Sequence, residues 1–155
     1  GGGQEGGMRS GTENVPSIVG IAKAFELAQT EGIAGARKIG AMRDELIRGI
    51  MKKIPGSFLN GHPTERLPNN ANVCIPGIEG ETLVLYLDES GIACSTGSAC
   101  TAGSLDPSHV LRAIGLSAAQ TKSSFRLTLG RKNTPAEVKY FLKVLPVIVK
   151  KLRSL

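Results

Sequence analysis

Cys100 lies in a segment that is unusual for a buried cysteine. Residues 93–104 (ACSTGSACTAGS) are small, polar and glycine-bearing, a composition typical of a mobile surface loop. An exposed thiolate is a nucleophile, but composition alone also allows a surface thiol without a role. Cys94 at a strand end and Cys74 within a strand are expected to pack in the core.

The glycine-rich start of the chain is a second candidate for chemistry. Residues 1–12 (GGGQEGGMRSGT) place many glycines before Thr12, which precedes a predicted helix. Glycines let backbone N–H groups approach an anion closely, and the Thr12 hydroxyl can add a hydrogen bond. Phosphate binding is one interpretation. An ordinary glycine-rich loop is the other, because the pattern is not that of a P-loop.

The third candidate is Arg126 in the segment 124–131 (SFRLTLGR). Strand alternation puts Phe125 and Leu127 on one face and Arg126 with Thr128 on the other. An arginine within a strand can bind a carboxylate or phosphate in a bidentate manner. These residues alone favour the simpler interpretation, an edge-strand arginine that faces water.

Hydrophobic spacing and turn residues predict the elements that position these residues. We expect helices over 16–28, 36–54, 81–89 and 107–114, with Gly32 and Gly35 separating the first two. We expect strands over 57–60, 71–75, 92–94 and 124–129. Thr134, Pro135 and Glu137 predict a capped final helix, in which Pro146 should cause a kink. The fold class predicted is α+β, a small mixed or antiparallel sheet packed by helices.

Composition restricts the class of protein. The 155 residues are 41% hydrophobic, which is enough for a folded core, and the chain shows no secretory signal or membrane-spanning run. Three cysteines do not suggest a disulfide framework, so a cytoplasmic location is expected, and the two histidines have no zinc-site spacing. The net charge of +6 is spread along helices and only six residues are aromatic, so we expect no nucleic-acid or membrane partner.

Taken together, the three candidate segments resemble the NifS/IscS-type cysteine desulfurases of the class V aminotransferase superfamily. The matching motifs are GGGQE and RSGTEN within residues 1–14, STGSAC at 95–100 and FRLTLGR at 125–131. The segment 105–113 between the last two also fits. The long loop around Cys100 is similar to that of the NifS/IscS group rather than the SufS-like group.

This resemblance implies a C-terminal portion of a fold-type I enzyme that binds pyridoxal 5'-phosphate (PLP). Such an enzyme converts L-cysteine to L-alanine, with Cys100 accepting the sulfur as a persulfide. Arg126 would bind the substrate carboxylate, and Thr12 the cofactor phosphate of the neighbouring subunit in a homodimer. The sulfur would then pass to an acceptor such as an iron–sulfur scaffold protein. Residues 1–15 would belong to the large cofactor domain, and residues 16–155 to a small domain that carries the Cys loop (about 93–106).

The chain departs from the family pattern in two respects. Gly6 stands where the family usually has arginine, and the lysine that holds PLP lies upstream of the matching region in the family. Together with the start at Gly1, this predicts a fragment that is catalytically incomplete alone. The alternatives are a non-catalytic C-terminal domain, a selenocysteine lyase-like relative and a basic nucleic-acid-binding module. Only the net positive charge supports the last of these.

Overall fold

The computed structural model describes residues 2–96 and 108–154. Cys100 and the rest of 97–107 therefore lie outside the described residues. In chain order the elements are β1 (Gly3–Gln4), a 3-10 turn (Glu5–Gly7), β2 (Arg9–Ser10), α1 (Val15–Lys53), β3 (Phe58–Leu59), β4 (Asn70–Cys74), α2 (Gly80–Glu89), α3 (His109–Ala113), α4 (Ala118–Lys122), β5 (Ser124–Thr128) and α5 (Pro135–Leu152).

The chain divides into two compact units, Gly1–Gly35 and Ala36–Leu155. In the first, the glycine-rich segment forms a hairpin in which β1 pairs antiparallel with β2. Its turn is left-handed at Glu5, Gly6 and Gly7, with φ of 52°, 64° and 87°. Because only glycine adopts such a φ without cost, two adjacent glycines favour this turn. Arginine at position 6, as in the family pattern, would be strained here.

Helix α1 differs from the sequence prediction. The expected break at Gly32 and Gly35 is wrong, since α1 runs without interruption from Val15 to Lys53. A glycine inside a helix costs only about 1 kcal/mol, which neighbouring helical residues can offset. Proline is the effective terminator, and Pro16, the only proline in α1, lies in its first turn.

The second unit is built on a three-stranded antiparallel sheet in the order β3-β4-β5. Ala71 pairs with Leu127 and Val73 with Phe125, and these four side chains form an apolar face. That face and α1, α2 and α5 share one hydrophobic core. The α+β class is confirmed. The core side chains below 3% exposure are Leu46, Ile50, Ile54, Ala71, Val73, Cys74, Ile75, Leu83, Leu87, Phe125, Val138 and Leu145.

Helix α5 begins as predicted. The Thr134 hydroxyl accepts a hydrogen bond from the Glu137 N–H, and the Glu137 carboxylate accepts one from the Thr134 N–H. Pro146 lies inside α5 and has no N–H to donate to the Leu142 carbonyl one turn earlier. Lys53 Nζ donates to that carbonyl instead, at 2.8 Å. The end of α1 thus satisfies the acceptor that Pro146 leaves open.

Two other elements differ from expectation. The strand predicted over 92–94 is wrong, because these residues pair with no strand, and the isolated antiparallel bridge that follows them joins Ser95 to Arg126. Helix α4 was not predicted, although Ser117 and Gln120 form a reciprocal capping box at its start. Within the part of the chain that the structure describes, no helix combines the length and apolar character needed to cross a bilayer.

Candidate functional site

A polar row crosses the face of the β3-β4-β5 sheet opposite the apolar face. Asn72 of β4 pairs with Arg126 of β5, and Asn70 pairs with Thr128. The Asn60 N–H, just after β3, donates to the Asn72 carbonyl at 2.9 Å. Since side chains alternate between faces along a strand, Asn60, Asn72 and Arg126 are neighbours across three adjacent strands. The sheet therefore presents two amides and one guanidinium side by side.

Arg126 joins this row to the segment that leads to Cys100. Its backbone N–H donates to the Ser95 carbonyl, and the Ser95 N–H donates back to the Arg126 carbonyl at 3.1 Å. The Arg126 side chain is half-buried. Among the described residues, no carboxylate or carbonyl lies within hydrogen-bonding distance of its guanidinium. β5 is an edge strand of the sheet, and the guanidinium donors of Arg126 are available to water or to an anion.

A cavity of about 230 Å³ opens over this row. Helix α3 supplies an apolar wall, and three asparagines and Arg126 supply the polar one. The two residues that flank the undescribed segment 97–107, Thr96 and Ser108, both line this cavity. The lining residues are Asn60, Asn70, Asn72, Thr96, Ser108, Val110, Leu111, Ile114 and Arg126.

Short contacts hold both flanks in place. A Cβ added at Gly80 would lie 3.1 Å from the Thr96 methyl carbon and 2.6 Å from the Ser124 carbonyl oxygen. Only a residue without a side chain therefore lets the start of α2 pack this closely against Thr96. On the other side, the Ser108 hydroxyl accepts a hydrogen bond from the Leu111 N–H and caps α3.

Asn60 anchors a buried polar network beneath the cavity. Its Nδ2 donates to Asn72 Oδ1 at 2.6 Å and to Ser124 Oγ at 2.9 Å. Ser124 Oγ in turn donates to the Gln120 carbonyl at 2.7 Å. The network links β3, β4, α4 and β5. Asn60 Oδ1 is buried without a partner among the described residues, an arrangement that costs about 1–3 kcal/mol unless a donor reaches it.

The two described cysteines have environments unlike that expected for Cys100. Cys74 is fully buried, its Sγ donates to the Gln120 carbonyl at 3.4 Å, and burial raises its pKa. Cys94 is half-buried against the core. Burial, with a smaller contribution from the Asp88 carboxylate, raises the pKa of Cys94 to about 11. Both thiols are protonated at neutral pH, and their predicted packing role is confirmed.

Thr12 lies in the N-terminal unit, just before α1, and is exposed. Arg9 organises this segment: its guanidinium donates to the Gly11 and Thr12 carbonyls and forms an ion pair with Glu13 at 3.0 Å. The Thr12 hydroxyl has no hydrogen-bond partner among the described residues. It is therefore available to a phosphate oxygen.

Sequence reasoning singled out Arg126 as a candidate but not the asparagines around it. A signal existed, because Asn70, Asn72 and Cys74 alternate with the apolar Ala71 and Val73 in the same way that Arg126 and Thr128 alternate with Phe125 and Leu127. Asn60 carried no comparable signal. No cluster of three or more His, Cys, Asp or Glu able to hold a metal ion occurs among residues 2–96 and 108–154.

Known proteins match this chain from its first residue to its last. The aminotransferase class-V family model matches residues 3–141. This chain belongs to the class V aminotransferase family. Over all 155 residues it is 51% identical to cysteine desulfurase IscS 1 of Archaeoglobus fulgidus, covering 40% of that protein. It is 53% identical to cysteine desulfurase IscS of Methanosarcina thermophila, covering 38%.

The fold agrees with that of a solved family member. A NifS-like protein superimposes with a TM-score of 0.83 at 38% identity, over 98% of this chain and 38% of that one. The resemblance to NifS/IscS-type proteins is thus confirmed in sequence and in fold. The chain spans about two fifths of the length of the relatives it matches.

Proposed function

We propose that this chain forms the C-terminal part of a PLP-dependent cysteine desulfurase. The enzyme converts L-cysteine to L-alanine and holds the released sulfur as a persulfide on Cys100. One observation carries the proposal: Thr96 and Ser108, the residues that flank the Cys100 segment, line the same cavity as Arg126. The names of the relatives, cysteine desulfurases at 51% and 53% identity, support the same activity.

Covalent geometry limits where Cys100 can lie. A chain spans at most about 3.6 Å per residue, and Cys100 is four residues beyond Thr96. Its Cα therefore stays within about 14 Å of the Thr96 Cα. A tether of this length, tied to β5 through Ser95, brings the thiol within reach of a substrate whose carboxylate is bound by Arg126.

The residues present fit a cofactor and substrate that carry anionic groups. The Arg126 guanidinium provides paired donors for the carboxylate of L-cysteine, and the Thr12 hydroxyl is a donor for a phosphate. No lysine lines the cavity among the described residues. In our proposal the lysine that holds PLP therefore comes from a part of the enzyme outside residues 1–155, as the family resemblance implies.

The proposed chemistry balances without an added oxidant. The Cys100 thiolate forms a sulfur–sulfur bond with the substrate thiol sulfur while the carbon–sulfur bond of the substrate breaks. PLP, when bound, supplies the electron sink that makes this cleavage possible. The carbon skeleton keeps the electron pair, takes up a proton and leaves as L-alanine. Cys100 then carries one additional sulfur atom for transfer to an acceptor.

The remaining assignments are part of the same proposal. Residues 1–15 would contribute to the cofactor domain, and residues 16–155 to the small domain with the Cys loop (about 93–106). The complete enzyme would act as a homodimer in which Thr12 binds the cofactor phosphate of the neighbouring subunit. A sulfur-acceptor protein such as an iron–sulfur scaffold would collect the persulfide sulfur.

A chimaera tests the proposal directly. The matched 155-residue segment of the Archaeoglobus fulgidus relative is replaced by this chain. We expect the chimaera to release L-alanine from L-cysteine, and the tryptic peptide containing Cys100 to gain the mass of one sulfur atom. Cys100→Ser should lower alanine release by roughly a hundredfold or more, because the nucleophile is lost.

Matched variants separate the proposed roles. Cys94→Ser should leave alanine release nearly unchanged, since its thiol is protonated and serves packing. Arg126→Lys should raise the KM for L-cysteine roughly tenfold or more because a lysine cannot bind a carboxylate with two parallel N–H groups. Arg112→Lys on α3 is the control. A chimaera that folds with PLP bound but still desulfurates cysteine after Cys100→Ser would refute the role of Cys100.

A further inference from the structure

Two segments that contain no acidic residue supply the net positive charge of the chain. Residues 46–64 and 138–155 hold eight of the 19 Lys and Arg side chains and none of the 13 acidic ones. The rest of the chain, with 11 basic and 13 acidic side chains, has a formal charge of −2, so these two segments account for the whole net charge of +6. Such a separation gives one region a field that attracts anions.

The two segments meet in the C-terminal unit, where the end of α1 and the second half of α5 enclose a cavity of about 370 Å³. We call it the basic groove. Three cations, Lys53, Lys150 and Arg153, line it together with the apolar side chains of Pro55, Pro146 and Val149. No Asp or Glu is among its described lining residues. The groove therefore combines apolar side chains with three cations.

Two of the three cations of the basic groove are held by a hydrogen bond and keep unused N–H donors. Lys53 Nζ donates to the Leu142 carbonyl at 2.8 Å, and Arg153 Nη2 donates to the Pro55 carbonyl at 3.1 Å. Each keeps further N–H donors, and neither has a carboxylate partner within the described part of the chain. Lys150 is exposed and has no polar partner in that part of the chain. Ordered cations need less rearrangement to bind an anion.

We infer that the basic groove binds an acidic segment of a partner protein. The segment inserts an apolar side chain against Pro55, Pro146 and Val149 and pairs its carboxylates with Lys53, Lys150 and Arg153. A nucleic acid fits less well because no aromatic side chain lines the groove for base stacking. A membrane surface fits less well because the apolar residues lie in a concavity. This inference goes beyond the proposed function, since it involves neither Cys100 nor Arg126.

Fluorescence anisotropy with a model ligand tests the inference. The probe is a fluorescein-labelled peptide of repeated Glu-Glu-Leu units, compared with repeated Gln-Gln-Leu units, both added to the 155-residue chain. We expect the acidic peptide alone to bind, and its Kd to rise several-fold between about 50 mM and about 300 mM NaCl because salt screens exposed charges. Lys150→Glu combined with Arg153→Glu should raise that Kd roughly tenfold or more.

A charge-matched control isolates the groove from the net charge. Lys38→Glu combined with Lys132→Glu makes the same change at exposed positions outside the two basic segments, and should alter the Kd less than about twofold. Lys150→Gln, which only removes one charge, should give an intermediate effect and replaces the double variant if circular dichroism shows that the latter is unfolded.

Three results would overturn the inference. The first is equal loss of peptide binding in the groove variant and in the control variant. The second is equal binding of the Glu-Glu-Leu and Gln-Gln-Leu peptides. The third is tighter, Lys150-dependent binding of a short single-stranded RNA or of phosphatidylserine vesicles than of the acidic peptide. None of these outcomes depends on desulfurase activity, so failure here leaves the proposed function standing, and the reverse also holds.

Discussion

Three cysteines in one small chain are chemically different because their surroundings differ. Cys74 of β4 is fully buried, and Cys94 packs at the edge of the core beside Asp88. Burial favours the neutral thiol over the thiolate, so it raises the pKa at both positions. Only Cys100 lies in a sequence context without side chains that could bury it.

Thiol alkylation should follow this order. At pH 8 we expect iodoacetamide to modify Cys100 first, Cys94 slowly and Cys74 only when the chain unfolds, because the thiolate is the reactive form. The Cys94 rate should keep rising as the pH approaches about 11, its raised pKa. Peptide mass spectrometry over a time course measures the three rates. If Cys94 were modified as fast as Cys100 at pH 8, the Cys94 thiol would not have the burial and raised pKa described here.

A glycine is required at position 80 for Thr96, which lines the cavity, to lie where it does. Gly80→Ala should destabilise the chain by about 1–3 kcal/mol, because its Cβ would lie 2.6 Å from the Ser124 carbonyl oxygen and 3.0 Å from that of Lys122. Both atoms are backbone and cannot rotate away. Urea denaturation measures the change.

The matched control for Gly80 is Gly32→Ala inside α1, where no atom outside the helix backbone lies within 4 Å of the added Cβ. This variant should be neutral or stabilising by about 0.4–1 kcal/mol. Equal effects of the two substitutions would show that close packing at Gly80 is unimportant.

At the scale of elements, α1 and α5 are joined by packing and by one specific polar contact. Gly49 of α1 leaves room for Leu142 of α5, since an added Cβ would overlap the Leu142 side chain. The Leu142 carbonyl then receives Lys53 Nζ in place of the missing N–H of Pro146. A proline that weakens α5 locally is thus compensated by a residue 93 positions earlier in the chain.

A double-mutant cycle tests this compensation. Lys53→Met should cost about 0.5–1.5 kcal/mol of stability, the range for an ordinary hydrogen bond, because Lys53 is an exposed residue and solvent screens its charge. In a Pro146→Ala background it should cost at least about 0.5 kcal/mol less, because the new N–H at position 146 supplies the Leu142 carbonyl. Denaturant unfolding of the four variants gives the coupling energy.

The neighbouring Lys52→Met is the control, because Lys52 is also exposed but does not donate to the Leu142 carbonyl, and it should change stability by less than about 0.5 kcal/mol. Additive effects of Lys53→Met and Pro146→Ala, with no coupling energy, would mean that Lys53 does not act through the Leu142 carbonyl.

At the scale of the whole molecule, the two units differ in how much they bury. Every residue from 2 to 32 is exposed or half-buried, including Val15, Ile18, Val19, Ile21 and Phe25, which are each more than half exposed. The later part of α1 contributes Met42, Leu46 and Ile50 to the core at 4% exposure or less. The first half of α1 therefore buries few side chains in this chain, whereas its second half packs into the core.

Hydrogen exchange should divide α1 accordingly. We expect amides of residues 18–32 to exchange at least about tenfold faster than those of residues 46–53, because local opening costs little where few apolar contacts are lost. Deuterium uptake measured by mass spectrometry gives both rates in one sample, and the amides of α5 provide the protected reference. Equal protection along α1 would contradict the assignment of stability to the second unit alone.

Much of the architecture could be predicted because it depends on local rules. Alternation of polar and apolar residues marked β4 and β5, and the Thr134…Glu137 spacing marked the start of α5. The same rules failed where a local signal was weak or misleading. Gly32 and Gly35 did not end α1, and residues 92–94 did not form a strand, since the isolated bridge to Arg126 is made by Ser95. A strand requires a partner strand, and sequence spacing does not show over how many residues the two will pair.

The sequence by itself determined the family, the α+β class, the chemical character of the Cys100 segment and the face on which Arg126 lies. These depend on residue type and on the short periods of helices and strands. Only the tertiary structure decided that Ser95 bonds to Arg126, that Asn60 and Asn72 stand beside that arginine, and that Lys53 reaches Leu142. Each of these contacts joins residues at least 12 positions apart, and packing of the whole core, not local preference, brings such residues together.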